Sequence, residues 1–547
     1  MRIIFLLILI PIWGYSENQA QSINIIPWPK EVKAGQEHFS ITPETKIISF
    51  PESNKTAVFL QNRLKKMMGV KIELAEVGLA GVGKIRFILD GSYAKEQYTL
   101  NVSKDEIQIT ASNNTGWFYG VQSLLQLSPS LPCMQDNLSI IKIPEVVIND
   151  APRFSWREFM LDEARFFRGK EQIKMLLDEM ALLKMNVFHW HLVDDQGWRV
   201  EIKKYPLLTE IGSKRVSSRV DCERCGQTGE PHGGIQSMEP HEGFYTQEEI
   251  KEIVRYAEER HITIVPEIEM PGHSSAAIAS YPWLGTTGKT IQVPVKFGVL
   301  DNVYDISNPK VYKFLTDVLD EVMELFPSNV IHIGGDEVKY AQWKASEPIQ
   351  SYMKENNLAT YAELQVFFTN RISQYLEGKG RRMMGWNEIL GHNIHKYQSE
   401  SDTKSGQQLA KGSIIHFWTG ELDFVNKAAS NGYEIVNSSM PGTYISLDYS
   451  KLSLSKAYAF EPVPEGLAPA LHNKVAGMGC ELWGEHLSTN GHMQYMTFPR
   501  IAAYAEVGWA EKENKNYERF LLALKKFRKH WEQTGIYYAE DKFVNGN

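Results

Sequence analysis

Val330-Ile331-His332-Ile333-Gly334-Gly335-Asp336-Glu337 is the stretch on which the reading of this chain turns. An apolar, β-branched run reaches two glycines, which accept backbone shapes that other residues resist, and then delivers two adjacent acids. Neighbouring strand residues point to opposite faces, so Asp336 and Glu337 can share one site only where the strand ends and the chain bends. A generic acidic loop has no need of the Gly-Gly. Acid–base chemistry requires two acids in unequal surroundings, one kept protonated as a donor and one ionised. Asp336 and Glu337 are therefore the candidate catalytic pair, against the alternative of a solvated strand end.

Outward from that stretch the same unit recurs. Short apolar or β-branched runs fall at Ser155 to Asp162, Asn186 to Asp194, Ile262 to Glu269, Asn329 to Glu337, Arg382 to Glu388, Ser413 to Thr419, Tyr433 to Ser439 and Val475 to Trp483. Helical periodicity separates most of them, over Glu171 to Met185, Gln247 to Arg260, Pro309 to Leu325 and Tyr361 to Glu377. Strands alternating with helices argue a parallel sheet, and eight such units in roughly 350 residues argue closure into a (β/α)8 TIM barrel. The open doubly wound alternative lacks a G-x-G-x-x-G after its first strand.

Active sites of such barrels form at the C-terminal ends of the strands. Those ends carry Asp162 with Arg165, Asp194-Asp195, Glu269 with His273, Asp336-Glu337, Trp386 and Glu388, Trp418, Ser439, and Trp483 with Glu485. Carboxylates and tryptophans crowding one rim suit a carbohydrate pocket, where indoles stack on pyranose C–H faces and carboxylates and an Arg take hydroxyls. His189-Trp190-His191 places two histidines on one strand face, as in metal-dependent barrel hydrolases. That class needs further His ligands on later strands and an Asp after the last, so barrel packing with a hydrogen-bonding role is the expectation. His273 follows a Pro-Gly turn and is expected to contact or tune the acid.

The runs Arg157 to Arg165, His189 to Asp195, Pro266 to His273, His332 to Glu337 and Leu482-Trp483-Gly484-Glu485 resemble glycoside hydrolase family 20, the β-N-acetylhexosaminidases. The resemblance covers nearly everything after the first twenty-odd residues. It implies a retaining, substrate-assisted mechanism in which the substrate's 2-acetamido oxygen attacks the anomeric carbon. Glu337 would then be the general acid and later base, and Asp336 would hold the acetamido N–H. Arg165, Asp448 and Glu485 match positions that bind ring hydroxyls. Trp386, Trp418 and Trp483 match the aromatic walls, and Asp194 and His273 match a relay behind the acid. One departure stands out: the family shows a Tyr two residues before the Asp matched by Asp448, and here that position is Ser446. Tyr444, two residues earlier, is the candidate to reach in instead. The implied activity is exo-hydrolysis of terminal GlcNAc or GalNAc from an oligosaccharide or glycoconjugate, with no metal or organic cofactor. The alternatives are a two-carboxylate retaining glycosidase and a catalytically silent glycan binder.

The rest of the chain frames this reading. With 547 residues, 43% hydrophobic and 23% charged, it is ordinary globular material that needs no staples. The balance of 58 basic and 66 acidic side chains gives a net charge of −8, no electrostatic reason to approach nucleic acid or an anionic membrane. Met1-Arg2, the apolar run Ile3 to Ile10 and the small residues after it read as a signal peptide over 1–21. That run is too short to span a bilayer, so the expectation is export to the periplasm or outside the cell. An α/β accessory domain is expected over 22–150, with strands at Lys84 to Leu89, Tyr98 to Val102 and Ile107 to Thr110 and a helix at Gly116 to Leu127. The catalytic barrel is expected over 151–515. A C-terminal helix and tail follow over 516–547, with Tyr517 to His530 a Lys-rich amphipathic helix packing outside, a solvated face rather than a binding patch. Four cysteines are too few for a disulfide framework. Cys222-x-x-Cys225, with His232 and His241 downstream, fits no standard zinc spacing and reads as a loop disulfide or two thiols. Oligomeric state is not legible.

Overall fold

The structure is a computed structural model that describes residues 23–76, 83–131, 138–217, 240–391, 395 and 408–541. The expected signal peptide, Cys133, the Cys222/Cys225 pair and His232 lie outside the described residues. His241 is described, and its Nε2 accepts the Phe167 N–H at 2.9 Å.

The first layer is a mixed seven-stranded sheet. Its spatial order is Glu31–Ile41, Ile141–Asp150, Tyr98–Val102, Glu106–Ala111, Lys84–Leu89, Lys46–Ser49 and Glu73–Glu76. Two helices pack on it, Asn54–Met68 and Asn114–Leu127. Asn113 starts the second by accepting the Thr115 N–H at 2.9 Å on its side-chain oxygen, the role that favours Asn before a helix. Nearly all of that helix is buried, because it lies between its own sheet and the barrel. Tyr119 meets Trp509 edge-on at 5.1 Å between centroids, and Phe118 lies 4.8 Å from His261.

Polar groups lock this junction. Lys184, 1% exposed, donates to Asp150 at 3.0 Å and to the Tyr98 hydroxyl at 2.7 Å. Arg157, fully buried, reaches Glu96 at 3.1 Å and the Tyr119 hydroxyl at 3.0 Å. Buried cations survive only when paired and hydrogen-bonded, and each of these is.

From Trp156 the chain builds a closed parallel barrel of eight strands: Trp156–Asp162, Val187–His191, Thr263–Glu267, Val330–His332, Arg382–Trp386, Ile414–Phe417, Glu434–Asn437 and Val475–Leu482. Val475–Leu482 pairs with Trp156–Asp162 to close it. Helices Lys170–Leu182, Gln247–Glu258, Pro309–Leu325 and Tyr361–Gly378 fall where the periodicity placed them, within a few residues. Thr246 and Glu249 form a capping box at the second, the reciprocal arrangement that satisfies two free N–H groups.

The barrel interior is layered by period-two alternation. Val187, Val265, Val330, Met384, Ile414 and Val436 make an apolar floor. Two residues further along the same strands stand His189, Glu267, His332, Trp386, His416 and Ser438, all buried. The middle of this barrel is thus polar, where branched apolar layers are the rule.

The C-terminal helix, Tyr517–Thr534, lies outside the barrel, but its inner face is not solvated. Phe520, Ala523, Leu524, Phe527, His530 and Trp531 are buried along it. Lys526 donates to the Gln126 carbonyl at 2.6 Å, and Trp531 donates to Glu179 at 2.8 Å. Its apolar stripe buries against both units and ties them together. No helix among the described residues is long and apolar enough to cross a membrane.

Candidate active site

The strand Val330–His332 stops at the two glycines, as the sequence required. Gly334 has φ 65° and Gly335 φ 90°, backbone shapes that a Cβ disfavours. Space demands glycine as well: a Cβ on Gly334 would sit 1.7 Å from Glu269 Oε2. The bend delivers Asp336, 8% exposed, and Glu337 at φ 51°. His273, on the neighbouring strand end, has φ 45°. Left-handed non-glycine residues cost of order 1–2 kcal/mol each, and such strain gathers at functional sites. These two face each other: His273 Nε2 lies 3.6 Å from Glu337 Oε2 and 3.7 Å from Asp336 Oδ2.

The other ring nitrogen of His273 meets carboxylates too, with Nδ1 3.2 Å from Asp194 Oδ1 and 3.3 Å from Asp195 Oδ2. Burial works against a charged imidazole there, but Asp194 and Asp336 outweigh it and hold the His273 pKa well above its ordinary value. Burial also opposes the charge on Asp194, yet Arg165, 2.7 Å away, and His273 keep its carboxyl low. Arg165 is fixed on three sides, by Asp162 at 3.0 Å, the Gln196 side chain at 2.9 Å and Asp194.

The two acids differ, in the opposite sense to the simplest expectation. Burial, with the charges of Glu388, Glu337 and Glu267, raises the Asp336 pKa to about 7 despite His273. Burial pushes Glu337 upward as well, but the His273 imidazolium, His395 and Arg165 bring it below the ordinary carboxylate value. Asp336 is thus the more readily protonated of the two and Glu337 the more readily ionised. Glu269 adds a third acid, buried with neither oxygen hydrogen-bonded and raised by burial and by Asp336.

Aromatic rings wall the same mouth. Trp418 and Tyr444 stack at 6.1 Å with 14° between planes, and Tyr444 lies 6.1 Å from Trp483. Trp386 is 5.7 Å from Trp483, and the Arg165 guanidinium lies 5.4 Å from the Trp483 ring. Tyr444, 8% exposed, is thus part of the cage. Ser446 has no hydrogen bond or ring contact to the cage among the described residues. Asp448 and Glu485 are the less tied members: neither hydrogen-bonds the cluster among the described residues. Asp448 accepts the Ser450 N–H at 2.8 Å, on the loop that carries Tyr444.

Two groups had no role assigned from sequence. Glu388 receives the Trp418 indole N–H at 2.9 Å and His395 Nε2 at 2.8 Å, which fixes one wall. Glu267 lies beneath the site, within hydrogen-bonding reach of His189, His191, His332 and Trp386. Period-two alternation of Val265, Glu267 and Glu269 was the available signal. His189, Glu267 and His332 come close enough together to hold an ion, as do His273, Asp336 and Glu337. In the first group, however, Glu267 already lies 3.0 Å from His189 Nε2 and 2.9 Å from His332 Nδ1.

Residues 154–512 match the model of the glycosyl hydrolase family 20 catalytic domain, and residues 22–151 match that family's domain 2. A β-hexosaminidase of Porphyromonas gingivalis is 34% identical over 95% of this chain, which spans 64% of that protein's length. One of Vibrio furnissii is 33% identical over 89% of this chain and 77% of its own. The β-N-acetylhexosaminidase structure of Streptomyces coelicolor A3(2) superposes with TM-score 0.79 at 28% identity, covering 96% of this chain and 98% of that one. The Vibrio harveyi exo β-N-acetylglucosaminidase, in complex with N-acetylglucosamine, superposes at 0.79 with 31% identity, over 95% and 79%. With its catalytic barrel and its N-terminal domain both matched in order, this chain belongs to glycosyl hydrolase family 20.

Proposed function

We propose that this chain is an exo-acting β-N-acetylhexosaminidase. It releases terminal non-reducing GlcNAc or GalNAc from glycans, with retention, using the substrate's acetamido group as nucleophile. The observation that carries this reading is the placement of Asp336 and Glu337 side by side under one histidine, against the cage of Trp386, Trp418, Tyr444 and Trp483. A double-displacement glycosidase sets its nucleophile across the sugar from its acid. Here the second acid is the chain neighbour of the first and shares His273 with it. That arrangement supports the mechanism the family resemblance implies, in which the nucleophile comes from the substrate.

The charges fit such a cycle. An arriving acetamido N–H hydrogen-bonds Asp336 and favours its ionised form. A proton carried by Asp336 then passes to Glu337 with no change in total charge. Glu337 gives that proton to the glycosidic oxygen as the acetamido oxygen bonds to the anomeric carbon and the C–O bond to the leaving group breaks. Asp336 faces the positive charge that develops on the resulting oxazolinium ring. Glu337, now ionised, takes a proton from water, whose oxygen opens the ring and restores the acetamide. The apolar run at Ile3 to Ile10, after the positive Met1-Arg2 end, supports export as part of this proposal.

A thiazoline mimic of the bicyclic intermediate tests the mechanism. It is expected to inhibit far more tightly than free GlcNAc, because intermediate-like compounds outbind ground states. Trapping a covalent glycosyl–enzyme ester by mass spectrometry refutes it.

A further inference from the structure

Glu267 lies one layer below the catalytic pair, fully buried, and four side chains from neighbouring strands converge on it. His189 Nε2 is 3.0 Å from its Oε2, and His191 Nδ1 is hydrogen-bonded to the same oxygen. His332 Nδ1 is 2.9 Å from Oε1, and the Trp386 indole N–H donates to Oε1 at 2.8 Å. An ionised carboxylate accepts and never donates, and the two hydrogen bonds it receives here come from His191 Nδ1 and the Trp386 indole. His332 Nδ1 instead accepts the Gly334 N–H at 3.0 Å, and His189 Nε2 is close without a hydrogen bond.

The far sides of these rings continue the pattern. His191 Nε2 is 3.0 Å from Asp194 Oδ2, and His189 Nδ1 is 2.8 Å from Glu158 Oε1. His332 Nε2 meets His416 Nδ1 at 3.3 Å, and His416 Nε2 meets the Ser438 hydroxyl at 2.7 Å. His191, hydrogen-bonded to a carboxylate through each ring nitrogen, presents two N–H groups and is an imidazolium. Burial alone would lower the pKa values of His189 and His191, but Glu267, with Glu158 for His189 and Asp194 for His191, raises each to about 10. His332, with one carboxylate and a histidine beside it, is lowered to about 4, with burial the main cause. The result is a file of alternating charge running upward: Glu267, His191, Asp194, His273 and then the catalytic pair.

We infer that Glu267 is a positioning residue for the reaction, holding Trp386 of the sugar cage on one side and, through His191, the Asp194–His273 relay on the other. The inference rests on the reading of Glu337 as the general acid. Glutamine in its place keeps the shape but offers one acceptor and one donor. Its NH2 group then faces the N–H of either His191 or Trp386, so that contact is lost or the imidazole loses its proton. No rotation of the amide accepts from both.

The test measures kcat and KM of Glu267→Gln and His191→Asn on two N-acetyl-β-glucosaminides, one with a 4-nitrophenyl and one with a methyl leaving group. The methyl glycoside needs the proton and the nitrophenyl one hardly does. Glu267→Gln is expected to lower kcat about 100-fold on the methyl glycoside and about 10-fold or less on the nitrophenyl glycoside. Its KM is expected to rise about 3- to 10-fold through the loosened Trp386, a loss of ground-state as well as transition-state contact. His191→Asn leaves Trp386 anchored, so it is expected to repeat the leaving-group pattern with KM unchanged. The double variant is expected to lose no more than the worse single, the non-additivity of groups that act in series. Wild-type kcat on the methyl glycoside in either variant, equal losses on both glycosides, or additive losses overturn the inference. If Glu267→Gln does not fold, His191→Asn alone decides it on the same readouts. A wild-type enzyme inactive on both glycosides refutes the proposed function, and this inference with it. That result differs from an active enzyme indifferent to Glu267→Gln.

Discussion

Tyr444→Phe removes one hydroxyl from the cage and changes little else. The ring keeps its 14° stacking on Trp418 and its approach to Trp483 at 6.1 Å, so the packing contribution cancels. On the proposed mechanism the lost interaction is a hydrogen bond from the buried phenol to the acetamido oxygen that attacks. A neutral hydrogen bond is worth about 0.5–1.5 kcal/mol, and one to a group gaining charge about 1.5–3. Burial is the first cause holding the phenol in its protonated, donating form. The variant is therefore expected to lose roughly 10- to 100-fold in kcat/KM on a 4-nitrophenyl N-acetyl-β-glucosaminide, with thermal stability unchanged. Ser446→Ala is the control and is expected to stay within about 2-fold of wild type, the small effect usual for a substitution away from any key contact. A neutral Tyr444→Phe alongside a slow Ser446→Ala refutes the reasoning. It would mean that the loop turns Ser446, not Tyr444, to the acetamide.

Two further outcomes follow from the acid pair. Glu337→Gln is expected to lose about 10²–10⁴-fold on a natural disaccharide, the worth of a general acid, and much less in the first step with a leaving group that needs no proton; steady-state and burst kinetics read the two. Asp336→Asn is expected to abolish efficient turnover yet raise the melting temperature at pH 8. A carboxyl whose folded pKa lies at about 7, above its unfolded value, favours folding fully at low pH. That advantage is lost progressively from the unfolded value up through 7, at about 1.4 kcal/mol for each pH step of one. Asparagine carries no such loss, so the gain is expected to vanish near pH 4, and calorimetry at both pH values checks it.

The fold was legible because its signals were local. Each barrel strand is a short apolar run, and each ends in residues that only a rim would carry, so Ser155 to Asp162 and Val475 to Trp483 could be matched almost residue for residue. The bend at Gly334-Gly335 was legible for the same reason. Glu267 was not, because the side chains gathered round it come from other strands that only barrel closure brings together. The protonation order of Asp336 and Glu337 was likewise hidden: it depends on His273, sixty-odd residues away in sequence, sitting 3.6 Å from Glu337. The long strands Glu31–Ile41 and Ile141–Asp150 give a weak signal because charged residues interrupt the first and Pro144 the second.

The central claim is that the substrate's own acetamido group performs the attack. Turnover of 4-nitrophenyl N-acetyl-β-glucosaminide compared with 4-nitrophenyl β-glucoside, which differs only at the 2-position, tests it most directly. The account predicts efficient release from the first and a rate lower by about 10³-fold or more on the second, since well-aligned intramolecular attack is worth several kcal/mol. Comparable rates on the two would contradict it, because the nucleophile would then have to belong to the protein.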